Sequence, residues 1–365
     1  MSSSQAIAKG GGAVGSSASA TEVTAAASQR RFVGGFLGSF LAVLAAVLAF
    51  NVVVDPYALA GTKLVPTAVE PDRSIKLDLL QKLEHGPQIL ILGDSRGRQA
   101  EPSVVQRLTG HTAFNAAVTG GSAPEAYVFV RYTAHRFPRQ KRRYIWFVST
   151  GLTSSAVVPQ LAQDSRARRY LSSVPRFGLA DVKTYLSTDA TKASWRVFEK
   201  CVLGPCRSHI HYHADGSLTN QSLHYLPEHA QSLHRAVAAA IAGVRRHPET
   251  LAEARRQLAE PGRFRYFDRI LTFMNRRGEV PVIVINPVYP SVLAAEEQNG
   301  FPARRATLAT LAQLKTRFRF VLVDCENSRT WGGNPRDWSN ASHVNRANMR
   351  LELKYIVAHS HGALR

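Results

Sequence analysis

The sequence predicts an α/β fold, a three-layer α/β/α sandwich with a central five-stranded parallel sheet. Uninterrupted apolar runs are typical of strands buried on both faces of such a sheet. Five of them occur, at 88–92, 113–117, 144–148, 280–285 and 320–323. Stretches with apolar residues every three or four positions lie between these runs, at 124–135, 263–277 and 302–317. This alternation predicts right-handed crossovers that place helices on both faces of the sheet.

Composition narrows the class of protein. The 365 residues are 45% hydrophobic and 20% charged, which is enough apolar content for a packed core. Three cysteines exclude a disulfide-built scaffold, and no Cys/His spacing indicates a zinc site, so we expect neither metal nor cofactor. The net charge is +20, but the basic residues are spread thinly along the chain. Anionic lipid headgroups or an acidic glycan are therefore expected partners, and nucleic acid is not.

The N-terminal segment predicts a membrane anchor. Residues 1–31 are rich in Ser, Ala and Gly and are expected to form a disordered cytoplasmic tail. Residues 32–54 carry no charge, and at about 1.5 Å per residue a helix of this length would span roughly 35 Å. The alternative is a buried core helix. Arg30 and Arg31 before the span and Asp55 after it place the tail in the cytoplasm and the remaining chain outside it.

The regions on either side of the first three strands are predicted as follows. Residues 55–84 are expected to be a linker, and residues 152–262 a mainly helical insertion over the ligand edge of the sheet. The Asp215-Gly216 pair in this insertion suits a hairpin turn. If the source is a bacterium, the domain lies in the periplasm, where Cys201 and Cys206 could form a local disulfide or remain free thiols.

Histidines occupy the alternate positions 209, 211 and 213, so in a β-strand their side chains would lie on one face. They could hold a metal, but no carboxylate or cysteine spacing supports this. A solvated hairpin face is the preferred interpretation.

Candidate catalytic residues follow the predicted strands. In an open parallel sheet the ligand crevice lies beyond the carboxyl ends of the strands. The first strand ends in Gly93-Asp94-Ser95-Arg96, a tight turn before a helix, and the second is followed by a loop containing Gly120. A serine nucleophile needs a base within about 3 Å. Among the histidines, His343 has a topological reason to lie near Ser95, because it returns to this edge just before the last helix.

These motifs resemble the SGNH (GDSL-type) hydrolase superfamily over residues 85–358. The closest resemblance is to membrane-anchored members tied to acylation of cell-surface polysaccharides, which carry one N-terminal span and a similar Asn51-x-x-x-Asp55-Pro-Tyr exit. The resemblance implies a flavodoxin-like sheet with Ser95 as nucleophile and His343 as base. It also implies an oxyanion hole formed by the N–H groups of Ser95 and Gly120.

The activity implied by the resemblance is that of a serine esterase or O-acyl(acetyl)transferase. The substrate would be an extracytoplasmic polysaccharide or a lipid-linked sugar, and the location would be the bacterial inner membrane. A transferase on that side of the membrane would need a membrane acyltransferase partner that hands the acyl group across.

The chain departs from the family pattern at two places. The asparagine that completes the oxyanion hole is missing, so Ser149 or Thr150 is expected to substitute or the donor is absent. Asn340 occupies the position three before His343, where the family has aspartate. Asn340 can orient an imidazole, and Asp337 or Asp324 are alternatives from other backbone positions.

Three neighbours of the turn complete the candidate site. Arg96 and Asn115 are expected to bind substrate. Arg96 would bind an anionic group of the substrate, unless a salt bridge within the protein occupies its guanidinium. Asp94 is expected to brace the turn. Two non-catalytic alternatives stay open, the first because of these departures from the family pattern and the second because of the basic charge. One is a degenerate relative that binds glycan or partner proteins, and the other is a basic membrane-tethered scaffold that contacts anionic lipids.

Overall fold

A parallel sheet organises the protein, as the sequence predicts. The computed structural model describes residues 20–57, 60–62, 64–65, 72–149, 157–171, 178–204, 211–219, 230–246, 248–260 and 262–365. The strands are β1 (Ile89–Leu92), β2 (Ala113–Asn115), β3 (Arg143–Val148), β4 (Val282–Ile285) and β5 (Val321–Asp324). They are all parallel and lie in the order β2-β1-β3-β4-β5. This doubly wound order reverses between β1 and β3, where open α/β sheets place their ligand crevice.

The described residues form fourteen α-helices. In chain order they are α1 (Ala20–Val54), α2 (Asp72–Lys82), α3 (Pro102–Thr109), α4 (Ala123–Arg136), α5 (Pro159–Gln163), α6 (Ser165–Arg168), α7 (Leu179–Tyr185), α8 (Thr188–Cys201), α9 (Ala230–Arg246), α10 (Leu251–Leu258), α11 (Arg265–Arg276), α12 (Pro290–Gln298), α13 (Pro302–Lys315) and α14 (Arg346–Ala358). Two further short strands, β6 (Trp338–Asn340) and β7 (His343–Val344), form an antiparallel hairpin before α14.

Two hydrophobic clusters cover the two faces of the sheet. Alternate residues of β3 belong to opposite clusters: Trp146 packs with helices α2, α4 and α11, and Phe147 packs with α3 and α14. All four residues of β1 are completely buried. The three-layer α/β arrangement is thus confirmed, and the five strands agree with their predicted runs to within two residues at each end.

The described residues of the insertion after β3 are mainly helical and form α5 to α10. Its Asp215 turn joins Tyr212 and Leu218, which form an antiparallel bridge. The Asp215 carbonyl accepts the Asn115 N–H at 2.8 Å, so this hairpin lies on the end of β2. Cys201 at the end of α8 is disulfide-bonded, Cys325 is free and buried, and Cys206 lies outside the described residues.

The predicted linker is wrong over residues 72–82, which form α2. Leu77 and Leu80 of this helix are fully buried against the sheet. Its charged residues Asp72, Arg73 and Lys76 are buried as well, because other polar groups pair with them. Because this segment is rich in charged residues, its sequence shows only a weak apolar pattern. The partners that stabilise the helix lie far away in the sequence, so a local pattern does not reveal them.

The predicted disordered tail is also wrong for residues 20–31, which form the first turns of α1. This stretch is rich in alanine, and it extends a helix whose nucleation cost has already been met. Residues 1–19 lie outside the described residues.

The apolar part of α1 is long enough to cross a bilayer. Residues Arg31–Val54 have a mean hydropathy of 2.5 over their most apolar window. Phe32, Phe36 and Leu41 are 75%, 62% and 62% exposed, so this segment is not the buried core helix of the alternative interpretation. An apolar surface of this length needs a nonpolar environment to cover it.

A buried carboxyl group makes stability depend on pH. Glu352 of α14 is completely buried, and neither carboxyl oxygen has a hydrogen-bond partner in the described part of the chain. Burial raises its pKa to about 8, although the Arg96 charge opposes the shift. The folded state holds the carboxyl proton of Glu352 more tightly than the unfolded state does. The stabilisation of the fold by this proton is complete below the pKa of Glu352 in the unfolded state, and it is lost as the pH rises toward 8.

We therefore expect Glu352→Gln to raise the melting temperature more at pH 8 than at pH 5. Scanning calorimetry of wild type and variant at both pH values measures this difference. Glu297→Gln, at an exposed position of α12, is the matched control and is expected to give equal small changes at the two pH values. A Glu352→Gln effect that is the same at pH 5 and pH 8 would contradict burial of an uncharged carboxyl group.

Candidate active site

Ser95 lies on a tight turn at the end of β1. Gly93 before it has a φ of 144°, and a Cβ there would lie 2.8 Å from the Phe147 Cβ, so only glycine fits. One carboxylate oxygen of Asp94 accepts the Arg96 N–H at 2.9 Å, and the other accepts the Ser149 hydroxyl at 2.8 Å. Asp94 thus braces the turn, as the sequence suggests, and Ser95 is left half-buried at the edge of the sheet.

His343 reaches the same place from the far end of the chain. Asn340 and His343 pair across the β6–β7 hairpin, whose Ala341 carbonyl accepts the Tyr289 N–H beyond β4 at 3.2 Å. This contact holds the hairpin against the carboxyl edge of the sheet. The Ser95 Oγ lies 2.7 Å from the His343 Nε2, within hydrogen-bond distance. The structure therefore brings together the two residues that the strand exits predict.

Asn340 orients the imidazole. Its side-chain oxygen lies 2.9 Å from the His343 Nδ1 and also accepts the Ser342 N–H at 2.9 Å. A backbone N–H can only donate, which identifies the amide atom at this position as the oxygen. That oxygen must then accept a hydrogen bond from the Nδ1–H, so in the neutral imidazole Nε2 is unprotonated and able to accept a hydrogen bond from the Ser95 hydroxyl. The three side chains form a Ser-His-Asn relay.

The alternative partners Asp337 and Asp324 do not contact His343 in the described structure. Asp337 accepts the Asn345 side-chain amide at 2.8 Å, and its own carbonyl accepts the Asn345 N–H. Asp324 forms an ion pair with Arg304. The prediction of Asp337 as a catalytic residue is therefore not supported, because this aspartate stabilises the entry into α14.

The electrostatic environment favours the neutral form of His343. Burial lowers its pKa below the ordinary value, the Arg96 and Arg98 charges lower it further, and Asp94 opposes them. Arg96 is half-buried, and within the described ranges its guanidinium forms no ion pair or hydrogen bond. The salt bridge considered from the sequence is thus not formed there, and the side chain is available to a ligand. A neutral imidazole that accepts a hydroxyl proton is the form required of a general base.

Asn115 does not line the crevice, contrary to the sequence-based prediction. It is completely buried, and its amide donates to the carbonyls of Gly97, Arg98 and Ala100 at 3.0, 3.2 and 2.7 Å. Its side-chain oxygen accepts the Ala117 N–H at 2.9 Å. Asn115 therefore ties the segment after Ser95 to the loop after β2 and leaves no group for a substrate.

The loop after β2 lies against the Ser95 turn. The Val118 N–H donates to the Gly93 carbonyl at 3.1 Å, and a Cβ on Gly121 would collide with that carbonyl. In the described part of the chain, the N–H groups of Ser95 and Gly120 have no intramolecular acceptor. Free N–H groups are what an oxyanion hole requires. Thr150, the third predicted donor, lies outside the described residues, and Ser149 already donates to Asp94.

Helix α2 holds this loop in place, and this role is not predicted from the sequence. Asp72 accepts the Thr119 N–H at 2.8 Å, and Arg73 donates to the Thr119 carbonyl at 3.0 Å. Lys76 donates to the Ala117 carbonyl, and burial lowers its pKa to about 7. An aspartate directly after Pro71 and before spaced apolar residues is a helix-start signal, and it could have identified α2.

The predicted histidine group on the insertion gives no metal site in the described structure. His211 and His213 are exposed, and His209 lies outside the described residues. Across the ranges that the structure describes, no group of three His, Cys, Asp or Glu side chains could hold a metal ion.

Comparison with known proteins adds no assignment. Neither a scan against protein-family models nor a search of curated proteins finds a match to this chain. A serine hydroxyl, a neutral histidine and two free N–H groups at one sheet edge are the parts needed for nucleophilic acyl transfer.

Proposed function

We propose that this chain is a membrane-anchored serine esterase or O-acyltransferase of the SGNH type that acts on an extracytoplasmic glycan or lipid-linked sugar. The observation that carries the proposal is the 2.7 Å contact between the Ser95 Oγ and the His343 Nε2, together with the Asn340 oxygen that sets the tautomer. The doubly wound sheet and the position of Ser95 at its switch point support the SGNH assignment.

The first half-reaction forms an acyl-enzyme. The Ser95 hydroxyl transfers its proton to the His343 Nε2 while its oxygen bonds to the ester carbonyl carbon. The carbonyl oxygen gains negative charge, and the N–H groups of Ser95 and Gly120 donate to it. The carbon–oxygen bond to the leaving alcohol then breaks, and the His343 imidazolium returns its proton to the alcohol.

The second half-reaction distinguishes an esterase from a transferase. Water or a sugar hydroxyl gives its proton to His343 and bonds to the acyl carbon, after which the Ser95 oxygen leaves and recovers the proton. Asn340 stabilises the imidazolium less than a carboxylate does, because an amide oxygen carries only a partial charge. The intermediate is therefore expected to form more slowly than with an aspartate in the same position.

The membrane topology follows from α1 and its flanks. Residues 32–54 form the span, and Arg30 and Arg31 before it hold the N-terminus in the cytoplasm. In a bacterium the catalytic domain lies in the periplasm. Acetyl-CoA is cytoplasmic, so a transferase of this topology receives its acyl group from a membrane acyltransferase partner.

A trapping experiment tests the proposal. The full-length protein is mixed with p-nitrophenyl acetate, quenched in acid and analysed by mass spectrometry, with and without an oligosaccharide acceptor. We expect an acetyl group on Ser95, and acetylated sugar in addition if the protein is a transferase. A folded protein that acquires no acetyl group on Ser95 would contradict the proposal and favour the non-catalytic glycan-binding alternative.

The pH dependence of the reaction tests the effect of the Arg96 charge on the pKa of His343. Because its positive charge disfavours the imidazolium, we expect Arg96→Gln to raise the pKa of His343. The base is active when neutral, so the acidic limb of the kcat/KM profile moves to higher pH in the variant. Arg107→Gln, at an exposed position of α3, is the control and leaves the profile in place. An unchanged or oppositely shifted limb in Arg96→Gln would show that this charge does not act on His343.

The contacts of α2 predict a second effect on turnover. Asp72→Asn weakens the acceptor that holds the Thr119 peptide, and the neighbouring Gly120 N–H loses its position. Loss of one oxyanion donor costs about 10²-fold to 10³-fold in kcat, so partial misplacement is expected to cost roughly 10-fold, with little change in KM. Asp78→Asn on the exposed side of the same helix is the control. A rise in KM at constant kcat would show instead that Asp72 acts in substrate binding.

A further inference from the structure

Exposed apolar side chains outside α1 are confined to one region of the molecule. The large apolar residues of the described chain that are exposed beyond the span are Leu64, Leu186, Trp195, Val202 and Leu203. Trp195 is 56% exposed and Leu203 is 69% exposed. Four of these exposed residues belong to α7 and α8 or directly follow these helices, and Leu64 follows α1 next to Val65, which packs with Val197 of α8. No such residue occurs on the described helices that cover the sheet, so this patch differs from the remaining surface.

This region packs against the last turns of α1. The Phe50 and Phe198 rings lie 5.9 Å apart, and Val54 and Val197 are buried beside them. The Asn51 amide donates to the Tyr185 carbonyl at 2.6 Å and to the Thr191 hydroxyl at 3.0 Å. Helices α7 and α8 are therefore attached to the membrane helix by both apolar and polar contacts.

The exit from α1 is held by Asp55. This residue has a left-handed φ of 49°, and its carboxylate accepts the Gly61 N–H at 2.6 Å and the Tyr185 hydroxyl. The Gln160 side chain donates to the Tyr57 carbonyl at 2.7 Å, which joins the same loop to α5. Tyr185 of α7 and Gln160 of α5 thus both hold the loop at the end of the span.

The depth of the patch in the bilayer follows from the length of α1. Residues 32–51 at about 1.5 Å per residue cover about 30 Å, which is the thickness of the hydrocarbon core. Asn51 and the adjoining α8 then lie at the boundary between acyl chains and headgroups. Tryptophan is enriched at this boundary because its ring is apolar and its N–H is polar. Lys192 and Arg196, both exposed on α8 beside Trp195, can donate to lipid phosphates.

We propose that α7 and α8 form a membrane seat, in which Trp195, Val202 and Leu203 insert into the phospholipid leaflet that surrounds the C-terminal end of α1. The seat holds the catalytic domain against the bilayer at one fixed tilt, so the domain does not reorient freely about the end of α1. The proposal rests on α1 crossing the membrane, and it is independent of the chemistry at Ser95.

Fluorescence of the full-length protein in nanodiscs tests the seat. The chain has four tryptophans, and Trp146, Trp331 and Trp338 are buried inside the domain. Discs are prepared from phosphatidylcholine with either ordinary or brominated acyl chains, because bromine quenches indole on contact. We expect the brominated lipid to reduce the emission of the wild type, and Trp195→Phe to abolish this loss. Aqueous acrylamide is expected to quench Trp195 only weakly.

A second tryptophan position separates the seat from the span. In the Trp195→Phe background, Phe36→Trp places the probe on the exposed face of α1, where brominated lipid quenches it if α1 crosses the bilayer. Quenching at position 36 without quenching at Trp195 would overturn the seat and leave the span intact. Quenching at neither position would overturn both. Trp195 shielded from lipid bromine and acrylamide alike would show a protein partner on this patch, which also overturns the proposal.

Discussion

Replacement of Ser95 by alanine is expected to lower the turnover of an aryl acetate by about 10⁴-fold or more. The hydroxyl is the group that forms the covalent bond to the acyl carbon, and the N–H groups that remain can only polarise the carbonyl. Its 2.7 Å contact with His343 gives it a general base, whereas the hydroxyl of Ser149, after β3, donates to the Asp94 carboxylate that braces the turn. The release of p-nitrophenol by the purified full-length protein measures the effect.

Ser103→Ala is the matched control, because Ser103 is exposed on α3, outside the candidate site. We expect it to retain full turnover. Unfolding of Ser95→Ala is checked by its melting temperature, which is expected to equal that of the wild type. Turnover that survives in a folded Ser95→Ala protein would show that another residue carries the activity.

Replacement of His343 by alanine is expected to have an effect of the same order, about 10⁴-fold or more on turnover. Without the imidazole, no group in the described site accepts the Ser95 proton, and Asn340 has nothing to orient. Because the two residues act as one unit, the Ser95→Ala/His343→Ala double variant is expected to be no worse than either single variant.

The same aryl acetate assay measures this second effect, and His135→Ala, at an exposed position of α4, is its control. Effects of the two single substitutions that multiply in the double variant would contradict a shared mechanism. Each residue would then act on a separate step.

The strands were predictable because their signal is local. In β1 the run Ile89–Leu92 is apolar at every position, and only a strand covered on both faces buries all four side chains. Helix α2 was not predictable as part of the core. Its Arg73 is buried by pairing with Glu125 of α4, a contact across more than 50 residues of sequence that no local pattern reveals.

The candidate site was predictable only in part, for a related reason. Ser95 follows β1 at the carboxyl edge of the sheet, and His343 lies in the hairpin that returns to this edge before α14, so topology alone brings them together. Asn115 also follows a strand, but its side chain turns inward to the backbone carbonyls of another segment. The choice of Asn340 over Asp337 as the partner of His343 depends on the hairpin register, which residue spacing does not determine.

The contacts at the end of the membrane span also could not be predicted from local sequence patterns. Asn51 and Asp55 mark the exit of the span in the sequence, but their partner Tyr185 lies more than 120 positions further along the chain. Their role in attaching α7 and α8 to the anchor is therefore visible only in the folded molecule. The sequence indicates that a span exists, and the structure indicates what is packed against its end.

Fluorophosphonate labelling of the full-length protein, with the modified residue located by mass spectrometry, is the most direct test of an activated serine at the end of β1. We expect a single phosphorus adduct on Ser95, absent in Ser95→Ala and His343→Ala and reduced when acid protonates His343. A correctly folded wild type that acquires no adduct on Ser95, or an adduct elsewhere that persists in both variants, would contradict this expectation.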